Sequence, residues 1–208
     1  PGVGQMLAWQ EGDMVYADMT DSAFASLDAY WADLFPALSG GTAWEPMEPP
    51  RPFTTDDPPV CNGREITQYR LFLCVPDRYV ADDDGETMPR AHDLGDFAVA
   101  ALFGTQYGLE VQDQLKRHPG DEVTATVRAD CFTGAWAGAL LPGAQADPAK
   151  AELYEITLSP GDLDEAVAVM LTFRTESDRQ RQGPGFQRVQ AFRTGVLDGP
   201  GACVDLVP

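Results

Sequence analysis

The run LGDFAVAALFGTQYGLEVQDQLKRHPGDEVTATVRADCFTGAWAGAL, residues Leu94–Leu140, decides the fold. It reads as two helices broken at His118-Pro119-Gly120, where proline and glycine interrupt the helical pattern. In the first helix Leu94, Phe97/Ala98, Ala101/Leu102, Thr105, Gly108/Leu109 and Gln112 recur at spacings of three and four. That spacing gathers them on one face. In the second, Val123, Val127, Cys131 and Gly134/Ala135 repeat it.

The block GDFAVAALFGTQYGLEVQ resembles the core helix of the bacterial neutral zinc metallopeptidases. In that family the helix carries an HExxH motif, and the next helix carries a run similar to E-L-Q-A-D-C-F-A-G-x-W-A. Here the second run is Thr126-Val127-Arg128-Ala129-Asp130-Cys131-Phe132-Thr133-Gly134-Ala135-Trp136-Ala137. Gly95, Asp96, Phe97, Gly108, Val111, Gln112, Ala129, Asp130, Cys131, Gly134 and Trp136 keep the family frame. The positions to which the resemblance assigns the chemistry do not. The first histidine falls on Thr105, the glutamate base on Gln106, the second histidine on Leu109, and the third ligand on Thr126. Farther along, Arg188, Phe192, Gly195 and Cys203 match the family's closing pattern. The resemblance implies a zincin-like fold that has lost its metal.

Elementary chemistry leads the same way. A zincin helix needs two imidazoles at i and i+4 and a glutamate beside them to take the proton of bound water. Leucine has no lone pair, threonine is a poor zinc ligand, and the amide of Gln106 does not titrate near neutrality. The only histidines, His92 and His118, flank the first central helix. Twenty-six residues of helix would hold them roughly 39 Å apart, so both read as surface or capping residues. No G-x-S-x-G elbow, paired aspartic-protease motif or phosphate loop is present. The chain is expected to be a non-enzyme with no catalytic residue, no metal and no cofactor.

Composition bounds the partners. The net charge of −19 argues against nucleic acid and against anionic lipid. No apolar run is long enough to span a membrane, although an anchor or signal upstream of Pro1 is compatible with the sequence. A protein or peptide partner in the cell envelope is expected instead. Four cysteines, Cys61, Cys74, Cys131 and Cys203, allow three pairings. The resemblance implies Cys61–Cys74 and Cys131–Cys203, closing loops worth roughly 3 and 4 kcal/mol. Disulfides place a chain in an oxidising compartment, so the expected location is extracytoplasmic, either secreted or envelope-associated.

The remaining chain supplies the frame. Residues 1–14 carry little pattern and are expected to pack loosely. A helix starts at Asp21-Ser22 and buries Phe24, Leu27, Trp31, Leu34 and Phe35, with Asp28 and Asp33 toward water. Residues 42–60 hold six prolines and read as an extended connection. A β-hairpin is expected over 66–81, with Tyr69, Leu71, Leu73 and Val75 on one side of its first strand and an acidic, solvated turn at Asp82-Asp83-Asp84-Gly85. By the resemblance, the Tyr79 region is the edge strand above the central helix, and Asp77, Arg78, Tyr79, Val80 and Arg188 outline a partner groove. Residues 141–151 read as a loop. Ser159-Pro160-Gly161-Asp162 reads as a helix start with Ser159 as cap. Residues 179–185 read as a polar loop before a last helix with Phe186, Val189 and Phe192 inward.

The fold expected is α+β, one mostly helical zincin-like domain over 1–208 with a small β-hairpin and two disulfides. The function expected is partner binding by an inactive metallopeptidase-like scaffold. The alternatives are an envelope-assembly module using another surface, and an active peptidase with an unconventional metal site.

Overall fold

The computed structural model describes residues 14–173 and 176–208. Apart from Met14, the segment expected to pack loosely lies outside the described residues. The architecture is α+β and mostly helical. A long helix, α1 (Tyr16–Ser39), leads through an extended segment into five short strands: β1 (Arg51–Phe53), β2 (Val60–Cys61), β3 (Arg64–Glu65), β4 (Leu71–Cys74) and β5 (Tyr79–Asp83). Then come α2 (Thr87–His92), α3 (Asp96–Gln114), α4 (Glu122–Ala139), α5 (Pro148–Leu153), α6 (Asp162–Thr172), α7 (Glu176–Gln182) and α8 (Gly185–Asp198).

The central helix α3 is buried on nearly every side, touching α1, α4, α6 and α2. The break after it is as expected, and Asp121 caps α4 by accepting from the Thr124 amide at 2.8 Å. The main core joins Phe24, Leu27, Trp31, Phe97, Phe103, Tyr107, Phe132 and Trp136. Helices α4 and α8 cross at backbone contact. A Cβ on Gly134 would sit 1.9 Å from the Phe192 carbonyl oxygen, and one on Gly195 would sit 1.8 Å from that of Cys131. Only glycine allows that approach. The Cys131–Cys203 disulfide joins α4 to the short helical turn after α8, and both cysteines are buried.

The sheet is ordered β1-β5-β4, with β1 parallel and β4 antiparallel to β5. Alternation gives it two different faces. Leu71, Leu73 and Val80 join the helical core. Phe72, Cys74, Tyr79 and Ala81 meet Phe53 and Cys61 in a separate small core on the other side. The second disulfide, Cys61–Cys74, lies there. It ties β4 to the β2–β3 hairpin, whose Asn62-Gly63 turn has positive φ at both residues, 50° and 74°, the geometry of a type I′ turn.

Several expectations are corrected. Helix α1 begins at Tyr16, because Met19 extends the apolar stripe toward its start. Asp28 and Asp33 turn to neighbouring segments: Asp28 accepts from Trp44 Nε1 at 2.9 Å, and Asp33 from Lys150 Nζ at 2.6 Å and Tyr154 OH at 3.0 Å. The 42–60 connection is extended but contains β1, whose Pro52 is tolerated on an outer strand. Residues 141–151 include the start of α5. Helix α6 starts at Asp162, whose carboxylate accepts from the Ser159 amide and hydroxyl. Ser159 is therefore a donor, not the cap. Residues 179–182 are helical, part of α7. In α8 the inner face is Arg188, Ala191, Phe192 and Gly195, which leaves Phe186 77% exposed.

Only the second half of the expected acidic turn is a solvated turn: Asp84 and Gly85 are exposed, whereas Asp82 and Asp83 end strand β5. Asp82 and Asp83 are each only 2% exposed. Pairing on both flanks draws the strand inside, and alternation sends Asp82 to the helical side, where Tyr16 OH donates to it at 3.4 Å. Asp83 accepts from Thr87 Oγ1 at 2.8 Å and from the Gly85 amide at 3.1 Å.

Candidate functional site

The four positions to which the resemblance assigns metal and base chemistry lie on α3 and α4. Thr105 and Gln106 are buried, and Leu109 and Thr126 are half-buried. Thr105 Oγ1 lies 3.2 Å from both the Ala101 carbonyl and Asp130 Oδ1. Asp130 is clamped bidentately by Arg188, at 2.6 Å from Nε to Oδ2 and 2.8 Å from Nη2 to Oδ1. Arg188 Nη1 also donates to the Met170 carbonyl and to Gln182 Oε1. Thr105 thus belongs to a buried network joining α3, α4, α6, α7 and α8. A neutral threonine, an amide and an aliphatic side chain do not fit a catalytic zinc, which needs imidazole, thiolate or carboxylate donors in tetrahedral array.

One turn along α3 from Thr105, Leu109 opens onto the surface. With Gln112 and Ala125 it floors a groove of about 260 Å³, walled by Leu73 and Val75 and rimmed by Asp113, His118 and Pro119. Gln112 holds the floor together: its Nε2 donates to the Gly108 carbonyl at 3.0 Å and the Ala125 carbonyl at 2.9 Å. His118 Nε2 lies 3.5 Å from Asp113 Oδ1. Behind the groove residue Leu109, the carboxyl of Glu110 is buried and accepts from Gln114 Nε2 at 3.0 Å. Burial pushes it above the ordinary carboxylate range.

Strand β4 flanks this groove and is a true edge. No strand among the described residues pairs with its outer side. The Asp83 amide donates to the Arg70 carbonyl at 2.8 Å. The alternation of an antiparallel ladder then turns Phe72 and Cys74 toward β5. The N–H and C=O groups of Leu71 and Leu73 face the open side, next to a groove that the Leu73 side chain walls.

The groove outlined from Tyr79 is not assembled. Strand β5 is central, so Tyr79 and Val80 are wholly buried. Tyr79 points to the face away from α3, donates to the Val60 carbonyl at 2.6 Å and carries the Arg51 guanidinium over its ring. Arg188 is 3% exposed and committed to Asp130. Arg78 pairs with Glu45, and Asp77 accepts from the Asn62 amide at 3.2 Å. Of the residues to which the resemblance assigned metal or base chemistry, only Leu109 lines the groove. Leu73 and Val75 were read as one side of a strand and Gln112 as part of the helix face, while Asp113 and Ala125 carried no local signal. His118 was read as a capping or surface residue, and it is both exposed and on the groove rim.

Three buried carboxylates, Asp96, Asp162 and Glu165, bring oxygens within 4.8 Å of one another. Their contacts are those of helix-end caps. Glu165 Oε2 accepts from the Phe97 amide at 3.1 Å at the start of α3, Asp96 Oδ2 accepts from the Met14 amide at 2.6 Å, and Asp162 receives Ser159. Gly95, with φ 134°, leaves room for Glu165: a Cβ there would lie 1.9 Å from the carboxylate carbon.

No protein-family model, curated protein or solved structure matches the chain detectably. The reading of its site therefore rests on its own residues. Two features bear on location: two disulfides are formed, and among the described residues no helix is long and apolar enough to cross a membrane.

Proposed function

We propose that this protein is a catalytically inactive, zincin-like scaffold that works outside the cytoplasm, in the cell envelope, by holding an extended segment of a partner protein. The observation that carries the reading is the open edge of β4 beside the Leu109 groove. An edge strand offers ladder hydrogen bonds to any extended backbone, and a pocket beneath it selects every second side chain. The occupant is an extended peptide with an apolar side chain over Leu109 and a Lys or Arg next to it. The chain's charge of −19 and Asp113 on the groove rim favour that cation. The residue types at Thr105, Gln106, Leu109 and Thr126 support the inactive half of the reading, because none is an imidazole, thiolate or carboxylate, and Thr105 is instead held against Asp130. Two disulfides suit an oxidising compartment.

A positional-scanning library of short extended peptides tests both halves. The expected result is retention of peptides with an apolar residue beside a basic one, no cleavage by mass spectrometry with or without added zinc, and loss of retention in Ala125→Trp, which fills the groove. Cleavage, or one zinc held per chain after desalting, overturns the inactive half. Retention that Ala125→Trp leaves intact overturns the groove half.

A further inference from the structure

The two disulfides occupy different environments. Cys131–Cys203 is enclosed in the helical core, with both residues fully buried. Cys61–Cys74 belongs to the small core on the far face of the sheet, whose buried members are only Phe53, Cys74, Tyr79 and Ala81. Cys74 is the last residue of the edge strand β4, and the next residue, Val75, walls the groove. Cys61 is half-buried in a hairpin with two residues in each strand. Apart from the disulfide, the bonds holding this hairpin to the sheet and its following turn are Tyr79 OH to the Val60 carbonyl and the Asn62 amide to Asp77. A hairpin that small is not stable by itself.

We infer that Cys61–Cys74 is a redox latch on the β4 edge: oxidised, it holds the edge in line for a peptide, and reduced, it releases it. This inference rests on the docking reading above. The reductant is an external dithiol. One of its thiolates attacks the sulfur of Cys61, the more accessible partner, and the Cys61–Cys74 bond breaks. Cys74 leaves as a thiolate and takes up a proton. Its sulfur lies 3.4 Å from Asp77 Oδ2, so the new S–H has a carboxylate acceptor. The second external thiol then resolves the mixed disulfide at Cys61. The balance is two electrons and two protons delivered to the protein and one disulfide formed in the reductant. The freed hairpin uncovers the small core, and β4 loses the tether at its groove end. The main core and Cys131–Cys203 stay intact. If reduction leaves about a tenth of molecules with an ordered edge, apparent peptide affinity falls about tenfold.

The test is a dithiothreitol titration of the folded protein with differential alkylation, joined to hydrogen exchange. The expected result is alkylation of Cys61 and Cys74 while Cys131 and Cys203 remain oxidised. In the same state the amides of Phe72 and Cys74 exchange at least about tenfold faster and those of α3 are unchanged. Opening of Cys131–Cys203 first, or of both disulfides together, overturns the latch. So does unchanged β4 exchange in Cys61→Ser/Cys74→Ser. Cys61→Ala/Cys74→Val, which refills the small core with apolar atoms, serves if the serine pair fails to fold. The peptide library separates this idea from its foundation. Equal retention by oxidised and reduced protein overturns the latch and leaves the docking reading standing. No retention by the oxidised protein overturns the docking reading, and with it the regulatory role.

Discussion

The helix junction around Thr105 and the sheet beside Leu109 lie about one helical turn apart on α3, yet they are held by different means. At the junction, α3, α4 and α8 meet through glycine-permitted backbone contact and a fully buried Arg188–Asp130 pair. The sheet is three short strands with a small separate core and a disulfide. The first region is closely packed, with glycine positions that admit no added side chain. The second has an unpaired edge and an open groove, and its far face carries only a small core. The contrast separates two jobs: under the proposed docking role the open edge of the sheet meets the partner, and the closely packed junction beneath it positions that edge.

The largest effect should come from breaking the junction. Arg188→Ala leaves Asp130 charged and buried, and a loss of about 3–5 kcal/mol is expected in urea unfolding. Replacing both partners, as in Arg188→Met with Asp130→Leu, should recover most of that loss. If Arg188→Ala unfolds like wild type, the junction is not rigid and the contrast fails. Next, Gly134→Ala drives a methyl into the Phe192 carbonyl. A loss of about 1–3 kcal/mol by thermal melting is expected, without change in peptide retention.

The sheet predicts a pH dependence of unusual sign. Burial first, then the charge of Asp84, pushes the Asp82 carboxyl up to about 6 from its ordinary 3.8. Between those values the folded state binds more protons than the unfolded one, so stability falls as pH rises from about 4 to 6, and the last part of that fall lies between pH 5 and 7. Asp82→Asn should remove that slope and stabilise the protein at pH 7 by about 1–2 kcal/mol, read from paired melts at the two pH values. A wild-type protein more stable at pH 7 than at pH 5, with the same profile in Asp82→Asn, would show that this carboxylate is relieved in another way. The smallest effect belongs to the surface. Arg78→Ala removes the pair with Glu45 beside the strand turn and should cost about 0–1 kcal/mol, less in high salt.

How much of this was legible beforehand depends on the range of the signal. The two central helices, their break and the lack of histidine or glutamate at Thr105, Gln106, Leu109 and Thr126 are local facts of spacing and residue chemistry. The Asn62-Gly63 turn is equally local, because only two residues set its φ values. The disulfide pairing came through the resemblance, since four cysteines alone leave three pairings open. The inward face of α8 was misread because its apolar residues were counted and Arg188 was not. A buried arginine looks like a surface residue until Asp130, 58 positions earlier, is brought beside it.

The sequence by itself determined the helical frame, the residue types at Thr105, Gln106, Leu109 and Thr126, and the acidic balance, because each depends on near neighbours or on composition. Only the tertiary structure decided which strand is the edge. A three-residue segment inside the proline-rich connection, Arg51–Phe53, pairs in parallel with Tyr79–Asp83 and makes that strand central. Pairing across thirty residues leaves no local pattern, and it is what buries Asp82 and Asp83, turns Tyr79 away from the central helix and leaves Leu71–Cys74 as the edge beside the groove.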